Sequence, residues 1–240
     1  MRYSINDFIY HLNDQHSKFT LSIPSFYIHP GEVVFVYGGS GSGKSTFFNL
    51  LAGIKESELK EYTRIIFNRI EYVMHESKLL PWHQLRDNIK VINQLNGKIE
   101  CRNLIEYCKK MNLDENILKM KSWQLSQGMR QRFEIAISLS NQPDLIIFDE
   151  AMSGVDNANK IQVSNVVYEY VKTNNTALLS TAHQISDVLR LAERVVFIQN
   201  GVISSHDISI KSYSVEERLK MSVKELLALP EAEYIINAVL

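Results

Sequence analysis

The run Glu32-Val33-Val34-Phe35-Val36-Tyr37 and the Gly38-Gly39-Ser40-Gly41-Ser42-Gly43-Lys44-Ser45 that follows it constrain the fold of this chain more than any other stretch. The first reads as a short buried strand, and the second satisfies G-x-x-x-x-G-K-[ST], the P-loop pattern. A helix is expected from about Lys44 to Ala52. Glycines reach backbone angles closed to other residues, so successive N–H groups can turn inward on one anion. The helix that follows points its positive end at the same place. Gly38, Gly39, Ser40, Gly41, Ser42, Gly43, Lys44, Ser45 and Thr46 are therefore the candidate phosphate cradle. Lys44 would reach the β- and γ-phosphates of ATP, and the Ser45 hydroxyl would ligate Mg²⁺.

A second apolar run, Leu145-Ile146-Ile147-Phe148, ends in Asp149 and Glu150. In P-loop ATPases a carboxylate at a strand end holds Mg²⁺, which is the role expected of Asp149. The next carboxylate, Glu150, can face an attacking water as general base. Further short strands are expected at 70–74, which reads as buried, and at 176–180 and 195–198. Helices are expected at about 157–172 and 185–191. Strands alternating with helices imply an α/β fold with a mostly parallel sheet. Residues 19–23 alternate like a half-exposed antiparallel strand near the N-terminus. Between 76 and 141 polar helical segments succeed one another, punctuated by Pro81, and read as a helical lobe inserted into the sheet. The end of the chain reads as two helices, 223–229 and 231–240, separated by Pro230. One domain is expected, with a core of 1–75 and 142–210, a lobe of 76–141 and a short helical tail of 211–240.

A length of 240 residues suits such a domain, and 45% hydrophobic with 22% charged residues fits a soluble globular protein. The net charge of -1 argues against a nucleic-acid reader, which needs a Lys/Arg excess. Cys101 and Cys108 lie a heptad apart on an expected helix and read as reduced, partly buried thiols. The N-terminal MRYSINDF lacks the apolar core of a signal peptide, and no stretch reaches the ~18 apolar residues of a membrane span. A cytoplasmic protein is expected, with any membrane role carried by a partner.

Leu125-Ser126-Gln127-Gly128-Met129-Arg130-Gln131-Arg132 is a second Ser/Gly element, just ahead of the acidic strand. It suggests a phosphate site that one copy of the chain cannot complete alone. With the P-loop and Asp149-Glu150, it resembles the ATP-binding cassette (ABC) family over about residues 3–205. That family's usual Leu-Ser-Gly-Gly-Gln here has Gln127 for its first glycine. The resemblance implies that Ser126, Gln127 and Gly128 meet the γ-phosphate held by an opposite copy. It implies that Ser153-Gly154-Val155-Asp156 crosses to the partner subunit, with Asp156 its key acid. It also places His183, in Ser-Thr-Ala-His, where a switch histidine contacts the γ-phosphate and helps position water near Glu150.

Two positions depart from the family pattern. His75 stands at the end of Tyr72-Val73-Met74, where a glutamine usually helps ligate Mg²⁺ and senses the transmembrane partner. Imidazole is a poorer Mg²⁺ ligand than an amide oxygen, so His75 either works through water or belongs to a differently set loop. The adenine-stacking aromatic falls near Leu12 in a simple alignment. Tyr10 and His11 are its neighbours, and Tyr10 is the choice, although a core aromatic on a strand explains Tyr10 equally well.

The resemblance implies the separate ATPase subunit of a membrane transporter, peripheral at the inner face of the membrane. Its partners would be a second cassette, which it meets on ATP as a homodimer or heterodimer, and permease subunits, with a solute-binding protein as a further partner. Leu79-Leu80-Pro81-Trp82, together with Gly128-Met129-Arg130-Gln131-Arg132, resembles ATPase subunits of nitrate, sulfonate and taurine importers, and Trp82 would form part of a groove for a permease helix. A Pro-Trp turn packed within the lobe is the plainer account of Trp82. An efflux or lipid-trafficking transporter and a non-transport ABC ATPase acting on nucleic acid or protein are the competing readings. A small-molecule kinase would have no use for residues 125–132.

Overall fold

The computed structural model describes residues 3–14, 17–55, 57–59, 63, 66–96 and 104–238. The strand ahead of the P-loop, β3 (Val33–Tyr37), lies inside an eight-stranded mixed sheet. In chain order the others are β1 (Tyr3–Asp14), β2 (Ser17–Ile28), β4 (Ile70–Met74), β5 (Leu145–Asp149), β6 (Ala177–Thr181), β7 (Arg194–Gln199) and β8 (Val202–Ser209). Their spatial order is β1-β2-β8-β7-β3-β6-β5-β4. From β7 to β4 every pairing is parallel, whereas β1 with β2 and β7 with β8 are antiparallel.

Both faces of the central strands are covered, which is why they read as unbroken apolar runs. Val34, Val36, Leu145 and Ile147 enter one apolar cluster with Phe47, Phe48, Leu50 and Leu51 of α1 (Lys44–Leu51). Val33, Phe35, Ile146 and Phe148 enter the cluster on the other face. There they meet α5 (Asn157–Asn174) and α6 (Ile185–Leu191). The expected lobe region holds α2 (Leu85–Asn96), α3 (Leu104–Lys110) and α4 (Gln127–Ser140), and its Leu85, Leu104, Cys108 and Phe133 join that same cluster. Cys108 is a buried free thiol, while Cys101 lies outside the described residues.

Three local readings need correction. β4 is half-exposed rather than buried, with only Val73 shielded, because it is the sheet edge and pairs with β5 alone. β8 was not expected, since Val-Ile-Ser-Ser-His-Asp-Ile-Ser carries no apolar run. Its signal is the turn before it: Asn200 and Gly201 both have positive φ, at 48° and 78°, as a tight hairpin between β7 and β8 requires. The tail holds α7 (Val215–Arg218), α8 (Val223–Leu227) and α9 (Pro230–Asn237), so Pro230 opens the last helix rather than parting two others. Ser214 with Glu217 and Ser222 with Glu225 form capping boxes at the first two. The tail is bound into the core. Leu226 and Ile235 are fully buried, and Arg218 donates to the Leu189 carbonyl and, at 3.1 Å, to the Tyr213 carbonyl. Among the described residues no helix is long and apolar enough to cross a membrane.

Candidate functional site

The P-loop closes between β3 and α1. Gly43 caps the helix at φ 110° and, having no side chain, makes no cap bond to the helix's first N–H groups, an arrangement that suits an anion. A Cβ on Gly38 would lie 2.2 Å from the Ile198 carbonyl oxygen, so only glycine lets the loop pass over β7. Lys44 folds back over the loop and its Nζ donates to the Gly38 and Gly39 carbonyls, each at 2.8 Å. Burial pulls the Lys44 pKa down, and the charges of Glu150 and Asp149 oppose that shift. The Ser42 hydroxyl is buried without a hydrogen-bond partner.

The ends of β5 and β6 face this loop. Asp149 is 9% exposed and accepts a hydrogen bond from the Tyr72 hydroxyl at 3.0 Å. Burial, with the Asp149 charge second, holds that phenol ionisation well above its usual range. Tyr72 is a site residue the sequence reading missed; it sits on β4, one strand from Asp149, and only the pairing of β4 with β5 reveals the contact. Glu150 has left-handed backbone, φ 57°, and its Oε2 lies 2.6 Å from His183 Nε2. A cleft of about 250 Å³ joins the loop to Glu150 and His183, with Leu12, Phe19, Lys44, Ser45 and Thr46 in its lining.

Tyr10 is not part of that lining. It pairs with Leu21 across the β1–β2 ladder and packs in the apolar cluster over α1, with the Lys55 ammonium 6.0 Å from its ring. The wall of the cleft is the pair two positions further along the same strands, Leu12 opposite Phe19. A Cβ on Gly43 would touch Phe19 at 2.7 Å, so the ring lies directly on the P-loop. Phe19 was missed although it stood on an expected strand, because the ladder that sets it opposite Leu12 is a tertiary fact.

His75 also lies away from the cleft. The end of the edge strand turns its ring toward the loop after β5, where Nδ1 is 2.7 Å from Ser153 Oγ. Ser126 caps α4 by accepting from the Met129 N–H at 3.2 Å. Asp156 caps α5, accepting from Asn159 N at 3.1 Å and Asn159 Nδ2 at 2.7 Å. These bonds, with the Arg132 charge behind them, hold its carboxyl below the usual range. Ser126, Gln127, Gly128 and Asp156 do not line this chain's own phosphate cleft. A separate cavity of about 300 Å³ runs along β4, lined by residues that include Ile54, Tyr72, Lys78, Leu79, Ile92 and Glu134. Trp82 is 65% exposed and lies outside its lining.

A P-loop, an acidic strand end and a paired glutamate and histidine on a largely parallel sheet define a nucleotide-binding P-loop ATPase fold. The sequence profile described as ABC transporter matches residues 21–153, more than half of the chain, and the protein belongs to that family. Among its relatives, the lantibiotic transport ATP-binding protein SrtF of Streptococcus pyogenes is 32% identical over 200 residues, covering 80% of this chain and 84% of SrtF. The aliphatic sulfonates import ATP-binding protein SsuB of Granulibacter bethesdensis is 30% identical over 200 residues, 81% of each chain. A solved dimeric ATP-binding cassette in a post-hydrolysis state, bound to ADP and Pi, superposes with a TM-score of 0.74 at 21% identity. The match covers 89% of this chain and all of that one, and carries the fold.

Proposed function

We propose that this chain is the ATP-hydrolysing subunit of a membrane transporter and that two cassettes close on ATP. The observation that carries the reading is the single cleft in which Lys44, Glu150 and His183 converge at the start of α1, where Gly43 makes no side-chain cap bond. The phosphates lie over residues 38–46, and Leu12 with Phe19 offers the apolar wall for the base. The donors fit Mg²⁺: a hydroxyl and a carboxylate suit an ion that keeps waters and leans on substrate phosphate, and among the described residues no cluster of three His, Cys, Asp or Glu competes for it. Ser45 and Asp149 would hold the ion, which neutralises phosphate charge; Tyr72 orients Asp149. Glu150, held against His183, takes the proton of the attacking water.

Ser126, Gly128 and Asp156 are assigned to the partner's nucleotide. That reading is supported by their absence from this chain's own cleft. The γ-phosphate contributes contacts that ADP lacks, so ATP favours the closed pair and hydrolysis releases it. Glu150→Gln should bind ATP and accumulate as a dimer with ATP but not ADP, while hydrolysis falls at least about 100-fold. Light scattering with each nucleotide tests this, and association independent of nucleotide would overturn it.

The cavity along β4 is assigned to a permease helix, at the inner face of the membrane. Small-solute import is the direction proposed, supported by the resemblance of residues 79–82 to importer subunits and by the sulfonate-import relative. The lantibiotic-transport relative supports a peptide cargo instead. ATPase stimulation by one co-expressed permease and not the other separates the two.

A further inference from the structure

The end of β4, the first turns of α4 and the loop after β5 meet at one hydroxyl. Ser153 Oγ lies 2.7 Å from His75 Nδ1 and accepts from Gln131 Nε2 at 3.2 Å. The Gln131 amide cannot be reversed, because the Gly154 N–H donates to its Oε1 at 2.8 Å and a donor must face the oxygen. The Ser153 hydroxyl keeps one proton and one further lone pair beside the Gln131 bond, so it pairs with His75 Nδ1 in either tautomer, and one hydroxyl links Gln131 to His75. The Ser153 N–H in turn donates to the Glu150 carbonyl at 3.1 Å. Packing closes the same joint. A Cβ on Gly154 would lie 2.6 Å from Gln127 Cδ, and one on Gly128 would lie 2.8 Å from the Gly154 carbonyl oxygen.

We infer that His75 is a positioning residue for hydrolysis, holding residues 153–156 against α4 through the Ser153 hydroxyl instead of ligating the metal. The ring sits three residues from the Glu150 backbone by way of Ser153, so it fixes the loop that carries the base at one end and Asp156 at the other. It also ties that loop to the helix bearing Ser126 and Gly128. A displacement of β4 by anything bound along it therefore reaches the base through one hydrogen bond. The inference rests on the two-copy site proposed above, in which the loop and α4 serve the same nucleotide.

A double-mutant cycle tests it. His75→Ala and Ser153→Ala should each lower kcat roughly tenfold, the scale of a small misplacement of a reacting group. The KM for ATP and the Mg²⁺ concentration for half-activity should stay as in the parent. The double variant should be no slower than the slower single, and His75→Gln, whose amide can pair with the same hydroxyl as donor or acceptor, should recover most of the rate. In a Glu150→Gln background, His75→Ala should weaken ATP-driven pairing seen by light scattering. Multiplying effects in the double variant, or a raised Mg²⁺ requirement in His75→Ala, would overturn the inference. If the parent pairs on ATP and the His75 variants match it, this inference alone falls; if the parent never pairs on ATP, the two-copy reading falls first.

Discussion

At the scale of single residues, the cleft gathers side chains that lie far apart in sequence. Glu150 and His183 stand just past the ends of β5 and β6 and Lys44 opens α1, places fixed by their immediate neighbours in sequence, and the cleft collects all three. Tyr10 and Phe19 show the limit. Both are aromatics on neighbouring antiparallel strands, and only the register, Leu12 opposite Phe19 and Tyr10 opposite Leu21, decides which ring reaches the P-loop. Phe19→Ala should weaken nucleotide binding about tenfold, in the range of base–aromatic stacking, whereas Tyr10→Ala should leave it unchanged. Titration with a fluorescent ATP analogue distinguishes them. His75 belongs with Phe19: its chemistry is plain in the sequence, but its partner Ser153 is 78 residues away.

At the scale of elements, apolar runs between turns were read correctly because a strand covered on both faces has no other composition open to it. β4 and β8 escaped that logic from opposite sides. Ile-Glu-Tyr-Val-Met looks buried but forms an edge, and β8 looks like a loop but closes a hairpin. One carboxyl on β4 is partly shielded even at the sheet edge. Asn141 Nδ2 donates to Glu71 at 2.9 Å, yet burial outweighs that bond and raises the Glu71 carboxyl above its ordinary 4.5. A carboxyl with a raised folded pKa supports the fold while protonated and loses that support as pH rises through the folded value. Glu71→Gln should therefore melt higher than the parent at pH 8 and level with it at pH 4, in parallel thermal scans. A variant with no advantage at pH 8 would refute this.

At the scale of the whole molecule, the C-terminal segment packs into the same apolar cluster as the central strands, through Val215, Leu219, Leu226 and Ile235. Its composition suggested only a short appendage, because nothing local reveals that Arg218 will be 1% exposed among the carbonyls of Leu189 and Tyr213. Arg190 reaches back the other way, donating to the Met221 carbonyl at 3.0 Å. Arg218→Ala would leave buried carbonyls without donors and should cost ~3 kcal/mol. Urea unfolding followed by tyrosine and far-ultraviolet signals should then show one shifted transition. Two separated transitions would mean that the tail unfolds on its own.

Glu150 has a consequence for anyone engineering this chain. Its left-handed backbone, φ 57°, is a conformation that glycine and asparagine accept far more readily than glutamate, at a difference of roughly 1 kcal/mol. The fold would be better served by a different residue at the position proposed above as the base. A library of this protein ranked by melting temperature alone would enrich dead enzymes at position 150, so heat resistance and work must be scored together.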